Sequence, residues 1–145
     1  GSDAEANAVT MAAPGTSESV VEDRRGLIVL IRNAMFRRVQ LMDLEDADAL
    51  GELDKAWGYG VHEWNDVLDD YYDEHEYVGI DAKARSGDLF ILDDSLEKSE
   101  HSWKVRQIID DSDGDHNWAI TGIVDLDSTQ DTGEVVFFDY QVSQV

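Results

Sequence analysis

Apolar positions recur every three to four residues before about residue 79, and every second residue after it. The first regime predicts helices. From Arg24, the residues Leu27, Ile28, Leu30, Ile31, Ala34, Met35, Val39 and Met42 form one stripe of a long helix, with Val29 and Phe36 off it. Phe36 and Val29 therefore predict contacts on a second side. Helix continues, or restarts at Asp43, through Leu44, Ala47, Leu50 and Leu53, until Gly58 and Gly60 break it. A third helix is expected over about Val61–Glu76. There Trp64, Val67, Leu68, Tyr71, Tyr72 and His75 make one aromatic and apolar face, opposite Glu63, Asp66, Asp69, Asp70, Asp73 and Glu74.

The second regime predicts strands. A short one is expected over Asp88–Leu92, then an acidic loop from Asp93 to Ser102, then a hairpin from Trp103 to Leu126. Trp103, Val105 and Ile109 share one face of the hairpin's first strand, and Trp118, Ile120, Val124 and Leu126 one face of its second. Residues facing each other across an antiparallel pair point the same way, so paired numbers must sum to an odd value. Val105 opposite Ile120 satisfies this. The turn is Asp110–Asp115, rich in residues that bend a chain. After a polar loop over Asp127–Thr132, the last strand, Val135–Val142, is apolar on both faces. Ile108 and Ile123 also fall on the outer face, where a sheet covered on one side carries polar residues. Ile108, Ile123 and Phe137 are thus candidates for a docking face if Val135 and Phe137 point outward. In the opposite phase Val136 and Phe138 take that place. A partner, a second copy of the chain, or a segment of the chain itself would cover them.

Helices first and an antiparallel meander last give an α+β class, N-terminal helices packed on a curved antiparallel sheet. The order is similar to the cone-shaped NTF2-like fold, with a plain two-layer sandwich as the competing geometry. Residues 1–22 lack an apolar period and are expected to be a linker or tail, with Gly1-Ser2 an expression remnant. Residues 23–145 are expected to form a single domain.

Charge changes the picture most. The 145 residues carry 33 acids against 11 bases, a net charge of −22. Such a chain repels phosphate backbones and anionic membranes, so tight nucleic-acid binding and membrane association are not expected. Solubility or salt adaptation accounts for the acidity, as does an acidic face that docks a basic partner. No apolar run is long enough to span a membrane, and the absence of cysteine fits a reducing, cytoplasmic location.

Chemistry is sparse. Asp111, Asp113 and Asp115 alternate like a calcium loop, but His116 and Gly122 stand where that loop needs Gly and Glu, so a turn is expected. Asp131-Thr132-Gly133 spells a protease triplet but follows a polar loop, and is expected to be a turn. The histidines His62, His75, His101 and His116 lack zinc spacing, and there is no phosphate-binding glycine loop or nucleophile elbow. No catalytic, metal or cofactor residue is assigned. Arg38 falls near the apolar stripe, where a guanidinium needs an acidic partner, either an internal ion pair or a bound anion. Trp64, Tyr71, His75, Trp103 and Trp118 are candidates for an aromatic pocket between helix and sheet. Such a pocket would suit a small-molecule binder or a hydrolase- or isomerase-like enzyme, and the same residues equally make a filled core.

At RNAMFRRVQL (Arg32–Leu41), LGELD (Leu50–Asp54), WKVRQIIDD and GDHNWAITGIVDLD, the chain resembles the C-terminal domain of unknown function of actinobacterial DEAD/DEAH-box helicases. The resemblance runs from about Arg24 to Tyr140. It implies an accessory tail whose ATP, magnesium and strand-separating motifs belong to a helicase core outside this chain. It implies no activity for the tail. The expected partner is that core or another protein, with a homodimer as a further possibility.

Overall fold

The computed structural model describes the backbone from Ser17 and the side chains from Arg24, through Val145. The chain divides into two compact units, Gly1–Ile31 and Arg32–Val145, and the division falls inside the first helix. That helix, α1, covers Ser17–Asp43, so it starts before the expected tail boundary at residue 22. The rest of the expected tail lies outside the described residues.

In the second unit, α1 buries Met35, Phe36, Val39 and Met42 while Arg37 and Gln40 stay exposed, as its stripe requires. Phe36 lies off the stripe yet is buried, because the Arg85 guanidinium covers its ring at 4.7 Å. Helix α2 (Ala47–Asp54) is capped by Asp46, whose carboxylate accepts the Ala49 N–H at 3.0 Å. A 3₁₀ turn over Lys55–Trp57 leads to Gly58 at φ 91°, a left-handed stop suited to glycine. Helix α3 (Val61–Glu74) then begins at Gly60, with the Glu63 carboxylate accepting the Gly60 N–H. It buries Trp64, Val67, Leu68 and Tyr71 along the expected face. Helices α2 and α3 meet closely at Gly51, where a Cβ would lie 2.8 Å from Val61 Cα and 2.9 Å from the Gly60 carbonyl carbon.

The sheet has four strands in the order β1 (Phe90–Asp93), β2 (Ser102–Ile108), β3 (Trp118–Asp125) and β4 (Phe137–Gln144), all neighbours antiparallel. The fold is α+β. Within the expected loops are two short helices, α4 (Glu97–Glu100) and α5 (Leu126–Thr132). Helix α5 replaces the polar loop because Asp125 caps it, accepting the Ser128 N–H at 3.1 Å, and Gly133 ends it at φ 75°. No described helix is long and apolar enough to cross a membrane.

The β2–β3 pairing keeps the expected parity but not the expected register. Val105 lies opposite Gly122, and Ile120 lies opposite Gln107. A slip of two residues preserves which side chains face the core, so the apolar pattern is blind to it. Gly122 is required there for space: a Cβ would meet the Phe137 ring at 3.0 Å and the Tyr140 ring at 3.3 Å.

The last strand carries a larger correction. Its pairing with β3 shifts between Thr121 and Ile123, a bulge centred on Asp139 at φ 48°. The extra residue turns both Phe137 and Tyr140 inward and leaves Phe138 outward. Phe137 is 3% exposed and packs on Trp57 and Tyr140, so it belongs to the core and not to the outer face. Phe138 takes the outer position at 40% exposure.

Candidate functional site

Asp54, at the C-terminal end of α2, is fully buried and heavily bonded. Its carboxylate accepts from Arg38 Nε at 3.1 Å and Nη2 at 2.7 Å, Trp57 Nε1 at 2.7 Å, Trp64 Nε1 at 3.1 Å and the Tyr140 hydroxyl at 2.6 Å. Arg38 also donates to the Ala34 carbonyl at 2.8 Å and stacks over Phe137. Burial pushes the Tyr140 phenol well above its ordinary value, and the Asp54 charge adds to this, so Tyr140 stays protonated and donates. This ties α1, α2, α3 and β4 to one point. It resolves the Arg38 question as an internal ion pair. Every polar atom faces a protein partner, which suits a structural brace and leaves no lone pair aimed at a ligand.

A second constellation joins the end of α3 to the β2–β3 turn. Asp111 is buried and organises the turn. Its Oδ1 accepts the N–H groups of Asp113 and Asp115, each at 2.9 Å, and its Oδ2 accepts the His116 N–H. Gly114 and His116 supply the positive φ angles, 71° and 51°. His75, just past α3, meets this turn with Nδ1 at 2.6 Å from Asp113 Oδ2 and Nε2 at 3.0 Å from Asn117 Oδ1. Since both partners accept, both ring nitrogens donate, the imidazolium form. Burial opposes that charge, but the hydrogen bonds to Asp113 and Asn117 and the field of Asp111 raise the His75 pKa above its ordinary value. The turn is further held by Gly79 N–H on the Asp110 carbonyl and Glu76 N–H on Ser112 Oγ. His75, Asp111, Asp113 and Asp115 bring ligand-capable atoms within 4.8 Å of one another. A cation there would have to displace the His75 proton and the backbone donors already on Asp111. The arrangement therefore favours a proton-held clasp over a metal centre.

The candidate aromatic pocket separates into parts. Trp64 joins the Asp54 brace. Tyr71, His75 and Trp118 do come together, Tyr71 lying 5.1 Å from His75 and 5.7 Å from Trp118 between ring centroids. Trp103 lies apart, its Nε1 donating to Glu97 Oε1 at 2.8 Å. The polar tips are used internally: Tyr71 donates to the Tyr77 carbonyl at 2.8 Å and Trp118 Nε1 to Glu74 at 3.0 Å. These side chains are core, with bodies packed and tips satisfied.

Surface depressions also lie among the described residues. One, of about 760 Å³, runs between α3 and β4 and is lined by Glu63, Asp66, Asp70, Asp73 and Glu74 over Val67, Trp118 and Val142. Another, of about 450 Å³, lies on the outer face of the sheet among Ile91, Lys104, Arg106, Thr121 and Ile123. On that face Ile108 and Ile123 are half-buried, and Ile91 and Phe138 are exposed. Sequence reasoning missed Ile91, since one apolar residue in a short edge strand carries no periodic signal.

No curated protein and no solved structure matches this chain. The family model described as "Domain of unknown function (DUF3516)" matches residues 2–142. The Asp54 brace and the His75 clasp fall within that span, and the chain belongs to the DUF3516 family.

Proposed function

We propose that this domain is a non-catalytic accessory module that docks on a protein partner through the outer face of its sheet. The partner is the core of a DEAD/DEAH-box helicase, working in the cytoplasm, to which the resemblance of RNAMFRR and GDHNWAI attaches it. One observation carries the docking reading: Ile91 is 48% and Phe138 40% exposed on a face that also presents Ile123, Lys104 and Arg106. Each large apolar side chain left in water forgoes about 1.5–3 kcal/mol of burial, so a partner gains by covering them. Lys104 and Arg106 are balanced there by Asp93 and Asp139, so this depression is lined by equal numbers of acids and bases in a chain of net charge −22.

The test is association of the domain with a separately purified helicase core, followed by calorimetry and sedimentation. The wild type should bind, while Ile123→Lys and Phe138→Lys should abolish binding without changing the urea melt. No association, or equal binding by Ile123→Lys, overturns the proposal. So does a domain that dimerises through this face and is not displaced by the core. The module alone should neither hydrolyse ATP nor bind RNA or DNA tightly at physiological salt.

A further inference from the structure

We propose that Arg32 and Arg85 form a binding site for a phosphoryl oxyanion, carried on a protein segment or free in solution. The site shares no residue with the outer sheet face and does not depend on the docking reading.

The first support is an imbalance of charge. The chain has 33 acids against 11 bases, so a base is expected to find a carboxylate, as Arg38, Lys55 and Lys83 do. Arg32 and Arg85 form no ion pair among the described residues. They are set against each other instead, the Arg32 Nη2 donating to the Arg85 carbonyl at 2.7 Å. Arg37 follows Asn33 by one turn on the exposed side of α1 and adds a third unpaired base. Of the acids that flank Arg85 in sequence, Asp81 caps its own turn, accepting the Ala84 N–H at 3.3 Å, and Asp88 pairs with neither arginine. Like charges gathered in this way repel, and an anion among them turns the repulsion into attraction.

The second support is how the guanidinium groups are held. Arg32 lies over the Phe90 ring at 5.4 Å and Arg85 over the Phe36 ring at 4.7 Å. Arg85 Nη2 also donates to Asn33 Oδ1 at 2.9 Å. Each guanidinium thus spends one of its five N–H groups and keeps four for a ligand. Ordering a long side chain costs entropy on binding, and here the aromatic rings have ordered both in advance. Two fixed forks with spare donors suit the oxygens of a phosphoryl group, which accept in bidentate pairs.

The extent of the patch selects among phosphates. A nucleic-acid backbone is charged along its whole length and would run off these few bases onto a chain of net charge −22. A single phosphoryl group ends where the bases do.

The test is NMR of the isotope-labelled chain at neutral pH and physiological ionic strength. It reads the Nε–Hε signals of Arg32 and Arg85 and the backbone amides of Asn33 and Ser86. The probes are inorganic phosphate, a glycine- and serine-rich peptide with one phosphothreonine, the same peptide unphosphorylated, and an oligouridine. Phosphate and phosphopeptide should shift these signals saturably, and the unphosphorylated peptide should not. Tighter binding by the phosphopeptide than by phosphate assigns the group to a protein segment, and equal binding assigns it to a free anion. Arg32→Lys with Arg85→Lys keeps the charge but loses the forks, and should weaken binding about threefold or more. Arg32→Gln with Arg85→Gln should weaken it about tenfold or more. Lys55→Gln with Lys98→Gln removes the same charge from exposed positions elsewhere and should stay within about twofold. Because Arg85 covers Phe36, urea melts accompany each variant, and the lysine pair carries the test if the glutamine pair unfolds. Linear shifts, equal weakening by the Lys55 and Lys98 pair, or unchanged binding by the lysine variant would overturn the proposal. Tighter binding of oligouridine than of the phosphopeptide would overturn it as well.

Discussion

Replacing Asp54 by asparagine removes one charge and almost no volume, yet it strikes the point at which three helices and a strand are joined. In the folded protein the Arg38 side chain is 5% exposed and that of Asp54 0%. The variant therefore leaves a guanidinium buried without its counter-charge. Breaking a buried pair by removing one partner costs about 3–5 kcal/mol. The asparagine carbonyl can still accept from an indole or the Tyr140 hydroxyl, but its NH₂ group faces donors that the second carboxylate oxygen had accepted. Against a typical domain stability of about 5–15 kcal/mol, this is a large fraction of the whole. The same physics predicts a rescue. Adding Arg38→Met to Asp54→Asn removes the orphaned charge, and replacing both members of a buried pair is often close to neutral. The double variant should thus recover at least about 1 kcal/mol over Asp54→Asn alone, even though it carries one more substitution. Urea melts followed by tryptophan fluorescence and far-ultraviolet circular dichroism give both numbers, and Trp57 and Trp64 report directly on the node. The reasoning fails if Asp54→Asn stays within about 1 kcal/mol of wild type, or if the double variant is less stable than the single one.

The His75 clasp gives a pH dependence with a definite sign. The folded pKa lies above the unfolded value of about 6.5, so its contribution is complete below that pH and is lost as pH rises through the folded value. Urea midpoints should fall as pH rises above about 6.5, and His75→Gln should flatten that part of the profile; an unchanged profile refutes the charged clasp. Gly51→Ala should cost about 1–3 kcal/mol or more, because its Cβ meets the backbone of Gly60 and Val61, which cannot rotate away. Trp103→Ala and Trp118→Ala should each cost about 3–5 kcal/mol, while exposed Lys104→Ala should cost under about 0.5 kcal/mol. Equal losses for Trp118→Ala and Lys104→Ala in urea melts would refute the face assignment.

What the sequence made legible is what repeats. The aromatic stripe of α3 and the alternation in β2 and β3 each contain several residues voting for the same face, and Trp64, Tyr71, Trp103 and Trp118 are buried accordingly. Features resting on a single residue were not legible. Asp54 ends a short helix, where a carboxylate ordinarily meets water, and only the return of β4 across the helices makes it a core residue. Its partner Arg38 was identifiable as needing an acid, because it interrupts an apolar stripe, but nothing local chose among 33 acids. The Asp111 turn was readable as a turn, whereas its bond to His75, made through Asp113, spans 38 positions of sequence.

The misplacement of Phe137 has a more specific cause. In VVFFDYQV every second-residue pattern puts Phe137 and Tyr140 on opposite faces, because three positions separate them. Asp139 at φ 48° breaks the alternation, a conformation that Asp tolerates better than the β-branched residues around it. One residue of excess sends Tyr140 to Asp54 and Phe137 to Arg38, while Phe138 is left outside. Beyond the bulge the strand resumes, and the Val142 N–H donates to the Tyr59 hydroxyl at 3.2 Å. The strand's apolarity on both faces is thus two demands overlaid, the core brace and the outer patch, in a segment too short to serve both by regular alternation. The bulge is what lets it meet them. The Tyr140 hydroxyl on Asp54 then pins the register of β4, because a slip of one residue would take the phenol away from its buried acceptor.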